Sequence, residues 1–337
     1  MRAFAYSRPA DAPTAIRAAA SSGNVLTIAP AQFLAGGTTL IDLMKLDVMR
    51  PEQVVDINGL RGDFGSIEAD ADGLHLGALV RMAEAAEHPA IRKTYPVIAQ
   101  SLQLAASAQL RNMATLGGNV LQRTRCNYFR DTSHSHCNKR VPGSGCDALG
   151  GVNRRHAVLG TSDACIATYP GDFAQALIAL DAGVAIVGMS SARKLAFADL
   201  HVTPERDPQR ETVLAPGDFI AGFIVPAGAW TKRSLYLKVR DRESYEFALA
   251  SAAVALDLEG RDVREARIAL GGVATKPWRA REAEAELRGH PLDEAAARRA
   301  AEAAFATAVT RGQNDFKPEL GRRTLVRALL QAAAMEV

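Results

Sequence analysis

The sequence predicts an α+β protein of more than one domain. Its 337 residues exceed one typical domain, and 48% of them are hydrophobic, enough for sizeable cores. Strand-like and helix-like segments follow one another in mixed blocks, which argues against a regular doubly wound sheet. No internal repeat interrupts that reading.

Taken in order, residues 13–22 read as a short helix, and residues 24–35 are apolar and strand-like. Gly36-Gly37-Thr38-Thr39 breaks that run. Leu40, Ile41, Leu43, Met44 and Leu46 then recur at helical spacing. Val54–Ile57 reads as a strand. A second unit begins near Asn58, with Asp72-Gly73 as a hairpin signal between 64–69 and 74–79. A long helical pattern runs from Arg81 to about Ala106, and residues 115–121 close that part. Asp172 stands where a cap belongs for a helix through Phe173, Ala176, Leu177 and Leu180. Val184–Val187 is strand-like, and the proline-punctuated stretch 199–226 reads as a linker. Strands are expected over 234–239, 248–258 and 263–272, and Ala/Glu/Arg-rich helices over 278–310 and 321–335. The expected units are therefore 1–57, 58–226 and 227–337.

A net charge of +3 gives no case for nucleic acid or an anionic membrane. No apolar run approaches the ~18 residues that span a bilayer. Met1-Arg2-Ala3-Phe4-Ala5-Tyr6 has neither an apolar signal region nor a twin-arginine pair. The expectation is a chain that stays in the cytoplasm, or leaves it attached to a partner that carries a signal.

All four cysteines, Cys126, Cys137, Cys146 and Cys165, fall in one 40-residue window. Scattered core cysteines would not gather so. Structural zinc sites usually contain close Cys pairs, whereas long irregular spacings suit an iron–sulfur cluster reached from separate loops. Zinc, two disulfides and unrelated buried thiols stay open as alternatives. Residues 122–156 hold seven Lys and Arg against two Asp, a local net of +5. Such cations offset the negative charge of a thiolate-bound cluster, or form a solvated loop or docking surface. His134 and His136 read as loop residues.

Two glycine loops suit anion binding. Ala35-Gly36-Gly37-Thr38-Thr39-Leu40 sits between a strand and a helix, where glycines let backbone approach closely and amides and hydroxyls supply donors. Thr115-Leu116-Gly117-Gly118-Asn119 is a second such loop. Together they suit the two ends of a diphosphate. Neither is the Gly-x-Gly-x-x-Gly of a Rossmann domain.

These residues carry a resemblance. Phe33–Lys45, Gln109–Leu121, Gly171–Ala182 and Lys238–Ala250 are similar, in order and across nearly the whole chain, to the FAD-binding medium subunit of molybdenum hydroxylases, the xanthine dehydrogenase and carbon monoxide dehydrogenase group. The chain most resembles the subgroup of bacterial aldehyde oxidoreductases, including the periplasmic heterotrimeric type, which carries a cysteine-bearing segment after the second glycine loop. The resemblance implies a two-subdomain FAD-binding fold of the vanillyl-alcohol-oxidase-like type over 1–57 and 58–226. A [4Fe–4S] insert would occupy about 122–165, and a C-terminal carbon monoxide dehydrogenase flavoprotein-like domain 227–337. It implies FAD held by Phe33, Leu34, Ala35, Gly36, Gly37, Thr38, Thr39, Leu40 and Ile41, with Ser107, Thr115, Gly118 and Asn119. Asp172 would bond the flavin's polar chain, Ile220 would pack on the ring, and Lys238 would lie near the ring carbonyls. The cluster ligands would be Cys126, Cys137, Cys146 and Cys165.

The implied activity is electron transfer within an aldehyde oxidoreductase. A large partner would carry the molybdenum cofactor and a small partner two [2Fe–2S] clusters. Beyond the flavin, no catalytic group is expected in this chain. Tyr245-Glu246 replaces an acidic pair of the xanthine dehydrogenases, which disfavours NAD as the external acceptor. A purine, an N-heterocycle or an aromatic thioester as substrate stays open, as does a non-enzymatic zinc-binding regulator. Export would run through a signal on the small partner.

Overall fold

The computed structural model describes residues 1–20, 29–189, 192–205 and 207–337. Residues 24–28 of the first expected strand, and 21–22 of the first helix, lie outside them. The chain opens with β1 (Ala5–Ser7), α1 (Ala12–Ala20), β2 (Ala31–Leu34), α2 (Leu40–Lys45) and β3 (Gln53–Asp56). The strands form a parallel sheet in the order β1-β3-β2. Successive strand side chains point to opposite faces, and β3 shows it. Val55 packs with Ala15 of α1, while Val54 packs with Leu43 and Met44 of α2.

Next come α3 (Arg61–Phe64), β4 (Ile67–Ala69) and β5 (Gly73–Gly77), the last two forming the expected hairpin. The long helix expected from Arg81 is instead three: α4 (Met82–Glu87), α5 (Pro89–Thr94) and α6 (Pro96–Gln103). Pro89 and Pro96 each open a helix. Proline lacks an N–H and pushes the preceding residue out of helical geometry, and His88 and Tyr95 are accordingly non-helical. Then follow α7 (Ala108–Met113), α8 (Leu116–Val120) and, within a segment made mostly of turns, α9 (Asn127–Arg130).

The wholly buried α10 (Phe173–Ala179) leads to β6 (Gly183–Val187), β7 (Ala192–Ala196) and β8 (Phe219–Pro226). A second correction falls here. The expected linker 199–226 ends in the central strand of a five-stranded antiparallel sheet, β4-β5-β8-β6-β7. Pro204, Pro208 and Pro216 disguise it, but Phe219, Ile220, Phe223 and Val225 are buried in its core.

The remaining elements are β9 (Ser234–Val239), β10 (Ala250–Glu259), β11 (Asp262–Gly271), β12 (Trp278–Arg279), α11 (Arg281–Leu287), α12 (Glu294–Ala304) and α13 (Lys317–Ala333). The helix expected over 278–310 is broken around Pro291, and Asp293 caps its second half by accepting the Ala296 amide at 2.8 Å. β10 is buried on both faces. Ala252, Val254 and Leu256 face the core shared with α12 and α13, while Ala253 and Ala255 join the core of α6 and α10. The alanines allow close approach from both sides.

Candidate cofactor-binding site

The two glycine loops touch. A Cβ on Gly36 would lie 2.1 Å from the Met113 carbonyl oxygen, so only glycine fits there. Gly37 has φ +75°, which also favours glycine. Two residues not singled out from sequence hold the loops in register. Asn58 Nδ2 donates to the Ala35 carbonyl at 2.8 Å. Its Oδ1 accepts from the Arg81 guanidinium at 3.1 Å, and Arg81 also binds the Met113 carbonyl.

Between the loops lies a cavity of about 190 Å³, lined by Phe33, Ala35–Leu40, Thr115 and Gly118, with Arg123 and Glu211 at its wall. Among the described residues the amides of Gly36, Gly37, Thr38 and Thr39 have no protein acceptor. The Gly118 amide is taken by Thr115 Oγ1 at 3.2 Å. Asn119 Oδ1 is buried without a partner among the described residues, a deficit that costs free energy unless something donates to it. Free amides, two threonine hydroxyls and close backbone are the donor set a diphosphate needs. The residues fit the dinucleotide.

The other expected contacts fall elsewhere. Leu34 and Ile41 flank the cavity without lining it. Ser107 accepts the Leu110 amide at 3.3 Å and caps α7. Ile220 sits opposite Ile186 in the sheet core. Asp172 does not cap α10 with its side chain. Its carboxylate takes Lys238 Nζ at 2.7 Å and the Tyr236 hydroxyl at 2.6 Å, all three buried, and Lys238 donates also to the Leu104 carbonyl. Tyr245 is exposed, with the Arg242 guanidinium over its ring.

The four cysteines are free thiols in this structure. All four line one small cavity with Phe129, Asn138 and Lys139. Among the described residues no three His, Cys, Asp or Glu side chains converge on a single metal ion. A cubane has separate iron corners and needs no such convergence. Burial pushes the Cys126 thiol up to about 12 and Cys165 to about 11, with neighbouring thiols adding to it. Bare thiolates there would be costly, and a metal's positive charge removes that cost. Amides already approach the sulfurs, as Ala167 N to Cys165 Sγ at 3.4 Å shows. Four free thiols on one buried cavity are the donor set that a four-iron cluster would use.

The basic insert is tied down by acids from distant elements. Arg125 and Arg130 both bind Asp42 of α2. Lys139 binds Glu211 at 2.7 Å, and Arg123 pairs with the same carboxylate. Arg154 and Arg155 bind Asp241, and Arg155 also Glu246. Arg140 donates to carbonyls of Tyr128, Phe129 and Asp131. Phe129 and Cys137 sit in the α2 core. His136 binds Asp147, and His134 packs edge-on against Tyr128. Sequence reading missed His156, whose Nε2 lies 3.2 Å from Cys126 Sγ. It lies between Cys146 and Cys165, where a search of the whole cysteine window would have met it.

Residues 2–228 match the family profile of the FAD binding domain in molybdopterin dehydrogenase, and residues 235–337 that of the CO dehydrogenase flavoprotein C-terminal domain. The chain belongs to the FAD-binding medium subunits of the molybdenum hydroxylase family. It is thus an oxidoreductase subunit of a multi-subunit enzyme, and the reading as a non-enzymatic zinc regulator falls. It is 45% identical over 335 residues to the aldehyde oxidoreductase FAD-binding subunit PaoB of Escherichia coli (strain K12), covering 99% of each chain. It is 26% identical to the carbon monoxide dehydrogenase medium chain of Hydrogenophaga pseudoflava, covering 90% of each. A solved carbon monoxide dehydrogenase from Oligotropha carboxidovorans shares the fold, with a TM-score of 0.76, 23% identity and 99% of each chain covered.

Proposed function

We propose that this chain is the FAD- and [4Fe–4S]-containing electron-transfer subunit of a heterotrimeric molybdenum aldehyde oxidoreductase. The observation that carries the proposal is the pairing, in one subunit, of a glycine-loop cavity with a buried pocket of four free cysteines. The 45% likeness to an aldehyde oxidoreductase subunit supports the aldehyde assignment. A large subunit would oxidise the aldehyde to a carboxylic acid at its molybdenum site, and a small one would pass electrons through two [2Fe–2S] clusters. Bound FAD supplies a carrier that takes electrons singly and delivers them to an external acceptor, NAD not preferred.

This chain's own residues bind and orient. The amides of 36–39 and the Thr38 and Thr39 hydroxyls would hold the diphosphate. Asn58 and Arg81 keep the two loops at the spacing this needs. Lys238, held by Asp172, places a buried cation on β9. Cys126, Cys137, Cys146 and Cys165 would each bind one iron. Export on a signal-bearing small subunit belongs to the same reading, with the cytoplasm as its alternative.

The test is anaerobic co-purification with the partner subunits. Absorption should show flavin bands and an iron–sulfur shoulder, and turnover should favour aldehydes over purines and N-heterocycles. Cys146→Ser should lose iron and labile sulfide from this chain and loosen the insert. Undiminished iron in that variant would contradict the ligand assignment, and zinc in place of iron would replace the cluster.

A further inference from the structure

We infer that His156 is a positioning residue for the cluster, donating a hydrogen bond from Nε2 to the Cys126 sulfur and thereby raising the reduction potential of the group bound there. The inference rests on the [4Fe–4S] reading above. Its observations are independent of that reading. His156 is buried, and its Nε2 lies 3.2 Å from Cys126 Sγ, within reach for a bond to sulfur. The residue is held by two further contacts. Its backbone amide donates to the Asn153 carbonyl at 2.9 Å. Tyr128 lies tilted against it with centroids 6.2 Å apart, and Tyr128 is itself fixed by the Val152 amide on its hydroxyl at 2.6 Å.

A metal-bound thiolate accepts and does not donate, so Nε2 must carry the proton in the loaded protein. Donation to a thiolate stabilises the more negative, reduced state of a cluster over the oxidised one. Cys126 is also the one cysteine that lines both the cysteine cavity and a neighbouring cavity of about 260 Å³. That second cavity is walled by His156, Arg125, Arg155 and Phe247. The bond therefore acts on the cysteine that borders both cavities.

The experiment is a potentiometric titration with dithionite and mediators, read by electron paramagnetic resonance, on the full chain. Iron and labile sulfide are counted alongside. His156→Phe keeps the ring volume and removes the donor, and His156→Gln keeps an N–H. The expected result is full iron in both. At the wild-type midpoint the reduced-to-oxidised ratio of His156→Phe should drop about tenfold, which is about 59 mV for a one-electron couple. His156→Gln should fall between. Wild-type protein without iron overturns the cluster reading, and this inference with it. A loaded His156→Phe with unshifted potential overturns the inference alone. Loss of iron from both variants also overturns it, because a hydrogen-bond donor is then not what the position supplies.

Discussion

The two pockets of this subunit are held in shape by different forces. The glycine-loop cavity is set by backbone. Gly36 meets the Met113 carbonyl with no room for a side chain, and Asn58 and Arg81 bridge the loops through main-chain oxygens. The cysteine pocket is set by charge. Its segment has little regular structure, and its cations reach Asp42, Glu211, Asp241 and Glu246 on elements up to 91 residues away. A backbone-built site tolerates changes in its side chains but not an added methyl. A charge-built site tolerates changes in volume but not the loss of a counter-ion.

The sharpest way to break that contrast is Glu211→Ala. Arg123 and Lys139 are both nearly buried beside this carboxylate. Removing it strips both buried cations of the carboxylate they share, at a cost of about 3–5 kcal/mol. Thermal melts should show a large fall in stability, with the cysteine segment the first to become protease-sensitive. A fall below about 1 kcal/mol would mean the insert does not depend on the pair.

Gly36→Ala comes next. The added Cβ forces the loops apart at about 1–3 kcal/mol. FAD content should drop well before the fold is lost, while iron stays. Equal loss of both groups would show that the pockets are not independently built.

Acid should strain the glycine-loop side. His201 is buried between the Tyr169 and Phe197 rings, with Nε2 3.0 Å from the Val120 carbonyl of α8. Burial pushes it down to about 4. The unfolded chain takes up that proton near pH 6.5. This contribution to stability is therefore complete above about pH 6.5 and is lost as pH falls toward 4, by about 1–3 kcal/mol. His201→Gln should flatten that limb of a stability-against-pH curve, and an unchanged curve would remove His201 from the account.

The smallest effect is expected at Arg154→Ala. Its pair with Asp241 is half exposed, worth about 0.2–1 kcal/mol. A larger loss in a denaturant titration would show that this edge of the insert is held more tightly than surface ion pairs usually are.

What could be read from sequence follows the same division. The glycine loops, the hairpin at Asp72-Gly73 and the strands of 234–272 announce themselves through local signals. The cysteine window does so through composition. Partners of the insert could not be read, because Asp42 and Glu211 meet it only through the fold. The breaks at Pro89, Pro96 and Pro291 were legible in principle, since proline acts locally, but helical periodicity runs straight across them. β8 was hidden for the opposite reason, its prolines drawing the eye from a buried alternation behind them. Asn58 and Arg81 gave no signal at all. Each is an ordinary polar residue until the fold brings Ala35 and Met113 to it.

The placement of β8 has a consequence for biosynthesis. It lies between β5 and β6, with Gly73 opposite Pro226, so the five-stranded sheet cannot close until residue 226 has left the ribosome. The cysteine segment is synthesised well before that, and before parts of the chain that hold it, such as Asp241, Glu246 and Asn314. Newly made chains thus pass through an interval in which the thiols are already outside and their walls are not yet assembled. Delivery of the proposed cluster in that interval would need no opening of a finished protein.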